Sequence, residues 1–88
     1  MLLQLADQVR EEFQIPPYFP DEGIVRYLEE GEARLLFLNP VADKQDKTYI
    51  MLLKNYAYYA YHHKVNEWEE NYAGLILSWQ MGAKKKND

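Results

Sequence analysis

Four stretches of the chain repeat apolar residues at helical spacing, and each is closed by a recognisable break. Between Leu2 and Phe13, the residues Leu2, Leu5, Ala6, Val9 and Phe13 share one side of a helix, with Gln4, Asp7, Gln8, Glu11 and Glu12 elsewhere. Ile15-Pro16-Pro17 ends this helix, because proline disfavours helical geometry in the residue before it and donates no backbone hydrogen bond. Tyr18-Phe19-Pro20 then reads as a short extended connector. Asp21 is expected to N-cap a second helix, with Glu22 at the positive end of its dipole. Its stripe is Ile24, Tyr27, Leu28, Gly31, Leu35 and Leu38. Arg26 and Glu30 stand four apart, a spacing at which a weak surface pair is expected. Gly31 costs about 1 kcal/mol relative to alanine inside a helix. Close approach of another helix at that point would explain it. Asn39-Pro40 stops the pattern, and residues 41–45 form a loop.

Asp46 is the expected cap of a third helix, whose inner stripe is Tyr49, Leu52, Leu53, Tyr56, Ala60 and His63. A fourth helix is read from Asn66, which forms a capping-box-like pair with Glu69, and it carries Trp68, Tyr72, Leu75, Ile76 and Trp79 on one stripe. Gly82 is the expected stop. No alternating strand pattern of useful length occurs. The expected fold is all-α: one small four-helix domain over residues 1–82, its last two helices an antiparallel hairpin, followed by a polar tail, residues 83–88, expected to be disordered.

The third helix carries an anomaly. Tyr56, Tyr58, Tyr59 and Tyr61 place four tyrosines in six positions. A helix turns through about 100° per residue, so these rings cannot all face one core. Tyr58 and Tyr61 fall well away from the inner stripe, and with Tyr18 and Phe19 of the connector they are the candidate partner surface. Packing of these rings against the first or second helix is the plainer alternative.

Composition narrows the function. At 88 residues the chain makes one domain of modest stability. Without cysteine it has no disulfide framework or thiolate metal site. A formal net charge of −4 argues against a general nucleic-acid binder, and Lys84-Lys85-Lys86 is shorter than the usual basic patch. Met1-Leu2-Leu3-Gln4 lacks the charged-then-apolar order of a signal peptide, so a soluble protein made inside the cell is expected. Eight Tyr, three Phe and two Trp supply the residue types favoured at protein interfaces.

Chemistry is sparse. Thr48 and Ser78, the only hydroxyl residues besides tyrosine, lie inside predicted helices, and the four glycines make no phosphate loop. His62 and His63 are adjacent, whereas metal ligands on a helix stand three or four apart, so a polar helix end is the plain reading for them. The carboxylates at Glu11-Glu12, Glu29-Glu30-Glu32 and Glu67-Glu69-Glu70 read as solvated helix faces, although copies in a ring could line a lumen that repels DNA. No catalytic, cofactor or metal residues are assigned, and an enzyme is not expected.

One resemblance goes further. Asp21-Glu22 opening a helix, Tyr27-Leu28-Glu29-Glu30-Gly31 and Arg34-Leu35 within it, Leu52-Leu53-Lys54-Asn55-Tyr56 with Tyr59-Ala60, then Trp68 with Glu70-Asn71-Tyr72 and Ile76-Leu77 resemble the small head–tail connector proteins of tailed bacteriophages. These adaptor or head-completion proteins are helical and non-catalytic. The resemblance spans roughly Asp21 to Met81.

It implies a virion protein of the head–tail junction, made in the host cytoplasm. It also implies a ring, typically of twelve copies, that binds the portal protein, extends the DNA channel and docks a tail-side connector or stopper protein. DNA would pass through without sequence-specific binding, and no membrane would be involved. Tyr18, Phe19, Tyr58, Tyr61 and Trp79 are then the candidate subunit or partner interface. The loop holding Asp43 and Lys44 is the candidate channel-facing segment. The alternative function is a small helical regulatory protein that binds one host or phage protein through its aromatic face.

Overall fold

The computed structural model describes residues 2–86, with side chains described as far as residue 82. The described residues form an all-α fold of four helices: α1 Leu2–Glu12, α2 Asp21–Leu38, α3 Lys47–Tyr61 and α4 Val65–Lys86. Helix α3 is the centre of the molecule, because α1, α2 and α4 all pack against it. Its Tyr49, Leu52, Leu53, Tyr56, Ala57 and Ala60 are all buried. A helix covered from three directions can hide apolar side chains around most of its circumference, which a one-sided amphipathic helix cannot.

Around α3, α1 contributes Leu5, Ala6 and Val9, and α2 contributes Ile24, Leu28 and Leu35. From α4 come Trp68, Ile76 and Trp79. Helix α2 packs tightly on α3 at Gly31, where an added Cβ would stand 2.8 Å from Tyr56 Cδ1 and 3.0 Å from Leu53 Cδ1. The glycine is therefore a packing requirement, as its position in the stripe implies. Helix α4 returns along α3, with Tyr49 reaching Trp79, Asn55 reaching Tyr72, and Tyr59 reaching Asn71.

Helix ends differ from the sequence expectation. Helices α1 and α3 both close with a non-glycine residue in left-handed geometry, Gln14 at φ 54° and His63 at φ 58°. In each case the next amide donates back across the last turn, Ile15 N to Arg10 O and Lys64 N to Tyr59 O, as in a Schellman motif. His63 consequently leaves the inner stripe assigned to it and is exposed in the turn. Gly82 does not end α4, which continues to Lys86, so the polar tail set at residues 83–88 begins as helix; Asn87 and Asp88 lie outside the described residues.

The expected side-chain caps are also absent. Pro20 occupies the N-cap of α2, so Asp21 is its first helical residue, and its carboxylate turns to Arg10 instead. Asp46 sits at the α3 N-cap without a side-chain cap bond. Helix α4 starts at Val65 on the carbonyl of Lys64, so Asn66 lies inside the first turn rather than capping it. Glu69, its expected capping partner, pairs with Arg34 at 2.7 Å. Among the described residues Arg34, rather than Arg26, is the arginine of α2 that forms an ion pair.

Candidate functional site

The connector between α1 and α2 is built around Arg10. Its Nη1 donates to Pro16 O at 2.6 Å, and its Nη2 donates to Phe19 O at 2.6 Å and to Asp21 Oδ1 at 2.7 Å. One planar guanidinium, with its donors in a fixed fork, holds both ends of the segment. Ile15, in the same segment, is buried. Gly23 then admits the Phe19 ring over the first turn of α2, since a Cβ there would lie 2.8 Å from Phe19 Cε2. The outcome is a fixed loop with Phe19 turned inward and Tyr18 left 85% exposed.

From Phe19 a run of neighbouring rings crosses the molecule. Phe19 stacks on Tyr27 at 6.2 Å and meets Tyr61 edge-on at 4.9 Å. His62 stands edge-on to Tyr61 at 5.0 Å and to Tyr58 at 4.7 Å. Tyr58 stacks on Phe13 at 4.4 Å and touches Tyr59, which meets Tyr72 at 6.1 Å. Trp68 and Tyr56 complete the run in the core. Edge-to-face and offset-stacked pairs are the favoured geometries for aromatic rings. Tyr58 and Tyr61 thus rest against the ends of α1 and the connector, and both keep part of their surface open. Rings at the end of α1 and in the connector cover part of the extra tyrosine surface of α3.

Other hydroxyls are tied down. Tyr49 is fully buried and donates to Glu32 Oε2 at 3.1 Å. Burial, the Glu32 charge and that hydrogen bond together hold its phenol well above the usual tyrosine range. Tyr72 donates to Asn55 Oδ1 at 3.2 Å, and burial raises its pKa and that of Tyr56. In the 41–45 loop, Lys44 folds back to Glu32 at 3.6 Å and Asp43 accepts the Gln45 amide at 2.9 Å. Both loop charges therefore have partners within the chain.

Trp79 lies inside the core beside Tyr49 at 6.3 Å, so the surface α4 offers there is made by its neighbours. Leu77 and Met81 are 58% and 52% exposed, and across from them Val41 is 62% exposed. These three, with Leu38, Asn39, Pro40 and Gln80, line a groove of about 290 Å³ where the end of α2 meets α4. Gln80 closes its floor by donating to Leu38 O at 2.6 Å. Asn39 is buried, and its Nδ2 has no hydrogen-bond partner.

The groove was not singled out from sequence, although its signal was present. Leu77 and Met81 stand four apart, off the line through Trp68, Tyr72, Ile76 and Trp79, and so form a second apolar row on α4. A further groove of about 270 Å³ lies between Tyr58, Tyr59, His62, Lys64, Glu67 and Asn71.

Among the described residues no His, Cys, Asp and Glu side chains gather in a metal-holding group, and no helix is long and apolar enough to cross a membrane. Comparison with family models, curated proteins and solved structures gives no match.

Proposed function

We propose that the chain is a structural protein of the phage virion: a head–tail connector subunit that forms a ring on the portal, extends the DNA channel and docks the tail-side component. The observation that supports it best is that the fold leaves unlike apolar surfaces open at separate places, among them the connector with Tyr18 and the groove bordered by Val41, Leu77 and Met81, with Leu3 and Phe37 exposed elsewhere. A cyclic head-to-tail assembly needs two different complementary faces on each subunit, whereas a two-fold dimer needs only one. The connector pattern described from Asp21 to Met81 agrees with this reading, as does a fold whose exposed carboxylates would not grip DNA phosphates.

The test is to mix the protein with portal rings of the same phage and image the product by electron microscopy. Added density in ring symmetry at the narrow end of the portal is the expected result. Bare portals would overturn the proposal. The second reading, a regulatory module for one partner protein, draws support from the groove beside Tyr58, Tyr59 and Lys64. A stable one-to-one complex from infected cells, with no ring, would favour it.

A further inference from the structure

We propose that Trp68, Tyr72, Tyr59 and Tyr58 form a route by which an oxidising equivalent leaves the core, ending as a tyrosyl radical in the groove beside Glu67. This activity is independent of the connector reading.

The order of the rings carries the proposal. Trp68 is fully buried, and Tyr72 stands next to it at 6.5 Å between ring centroids. Tyr59 follows at 6.1 Å from Tyr72, and Tyr58 at 6.1 Å from Tyr59. Indole and phenol are, with the thiol, the side chains that most readily lose one electron, and this chain has no cysteine. Rings this close exchange electrons by short hops. The Phe13 and His62 rings also touch Tyr58, but they are much harder to oxidise and take no part.

Protons set the direction. The Trp68 indole donates to Leu52 O at 3.2 Å, and a carbonyl is too weak a base to keep its proton. Oxidised Trp68 therefore stays a radical cation, a stronger oxidant than the neutral indolyl radical. A phenol, by contrast, yields its electron readily only when its proton leaves as well. Tyr72 donates to Asn55 Oδ1 at 3.2 Å, again a weak base, so this ring is a stepping stone. Tyr59 and Tyr58 are half-buried and line the groove of about 270 Å³ together with Glu67, whose carboxylate is an acceptor. Tyr56 lies nearer to Trp68, at 5.0 Å, but burial makes its phenol hold its proton.

The balance is one electron and one proton. A one-electron oxidant, or light, removes an electron from Trp68, and Trp68 recovers one from the tyrosines. Tyr59 or Tyr58 ends one electron and one proton short, with the proton on Glu67 or in water.

Flash photoionisation of the full chain tests this, using ultraviolet light absorbed by indole alone, with nitrous oxide and tert-butanol present to consume the ejected electron. Trp79→Phe makes Trp68 the sole tryptophan. In that background the tryptophan-radical absorbance should decay as a tyrosyl band grows, at a rate independent of protein concentration. Tyr72→Phe should slow the transfer. Tyr58→Phe with Tyr59→Phe should leave the radical on Trp68 with loss of the tyrosyl band, and Tyr56→Phe should leave the rate unchanged. Phenylalanine keeps each ring but removes its hydroxyl, and circular dichroism checks that the helices persist. A tyrosyl band at the unaltered rate without Tyr72, its persistence without Tyr58 and Tyr59, its loss without Tyr56, or a tryptophan radical that decays with no tyrosyl band would each overturn the proposal.

Trapping with tert-nitrosobutane followed by peptide mass spectrometry locates the end of the route. The adduct should lie on Tyr58 or Tyr59. An adduct confined to the exposed Tyr18, which stands outside the run, would show that the oxidising equivalent escapes by another path and would overturn the proposal.

Discussion

The indole Nε1 of Trp68 donates a 3.2 Å hydrogen bond to the backbone carbonyl of Leu52, joining α4 to the middle of α3. Both residues are fully buried, and the Trp68 ring also meets Tyr56 edge-on at 5.0 Å. Trp68→Ala removes the largest buried side chain and should lower stability by about 3–5 kcal/mol. Urea unfolding measures it, and a loss below about 1 kcal/mol would show that α4 is not seated on this residue.

The glycines of α2 and α4 should respond to alanine with opposite sign. At Gly31 a Cβ would meet the buried Tyr56 ring and Leu53 at 2.8–3.0 Å, so Gly31→Ala should destabilise by about 1–3 kcal/mol. At Gly74, within α4, a Cβ meets nothing within 4 Å, and Gly74→Ala should stabilise by about 0.5–1 kcal/mol. Thermal unfolding of the two variants side by side would reveal equal signs if the α2–α3 approach were looser than described.

Replacing Arg10 tests the clamp. Arg10→Ala leaves the carbonyls of Pro16 and Phe19 without this donor and should cost about 2 kcal/mol, since hydrogen bonds to charged groups contribute roughly 1.5–3. Arg10→Lys should restore little of it, because a single ammonium cannot reproduce the guanidinium fork. Full rescue by lysine would mean that only the charge beside Asp21 matters.

Tyr58→Ser should reduce stability as well as any partner binding, because its ring stacks on Phe13 at 4.4 Å with planes 14° apart. An aromatic pair of this kind contributes about 0.5–1.5 kcal/mol beyond the area it buries. The double variant Tyr58→Ser and Tyr61→Ser should lose more, since Tyr61 also releases Phe19 at 4.9 Å. Unchanged melting would assign both rings to an external contact alone.

Alkaline pH should unfold the protein through its buried phenols. Burial, then the Glu32 charge and hydrogen bond, raise the Tyr49 pKa above its ordinary value of 10.0. Above that value the unfolded chain releases the proton while the folded chain keeps it, so stability is complete below about pH 10 and falls as pH rises further. Tyr56 and Tyr72 act in the same direction. Urea midpoints should be level to about pH 10 and then decline, less steeply in Tyr49→Phe. A midpoint independent of pH would contradict the burial of these hydroxyls.

Much of this architecture is legible in the chain itself. The spacing of Leu5, Ala6 and Val9, of Ile24, Leu28 and Leu35, and of Trp68, Ile76 and Trp79 determines which faces are apolar, and the prolines at 16, 17 and 40 determine where helices cannot continue. These are local properties, set by backbone sterics and a 3.6-residue period. The close approach at Gly31 is legible for the same reason, since a glycine inside an apolar stripe has few other uses.

The tertiary structure alone decided what each polar or aromatic side chain does at the surface. Asp21 looks like a cap but answers to Arg10, eleven positions away, and Glu69 answers to Arg34 on another helix. Tyr58 and Tyr61 lie off the inner stripe of α3, yet α1 and the connector partly cover them. Asn39, Val41, Leu77 and Met81 become one groove only because α4 returns past the end of α2. A side chain's local propensity is fixed by its neighbours in sequence. Its partner is chosen by whichever element packing brings within a few ångströms, and only the assembled fold contains that information.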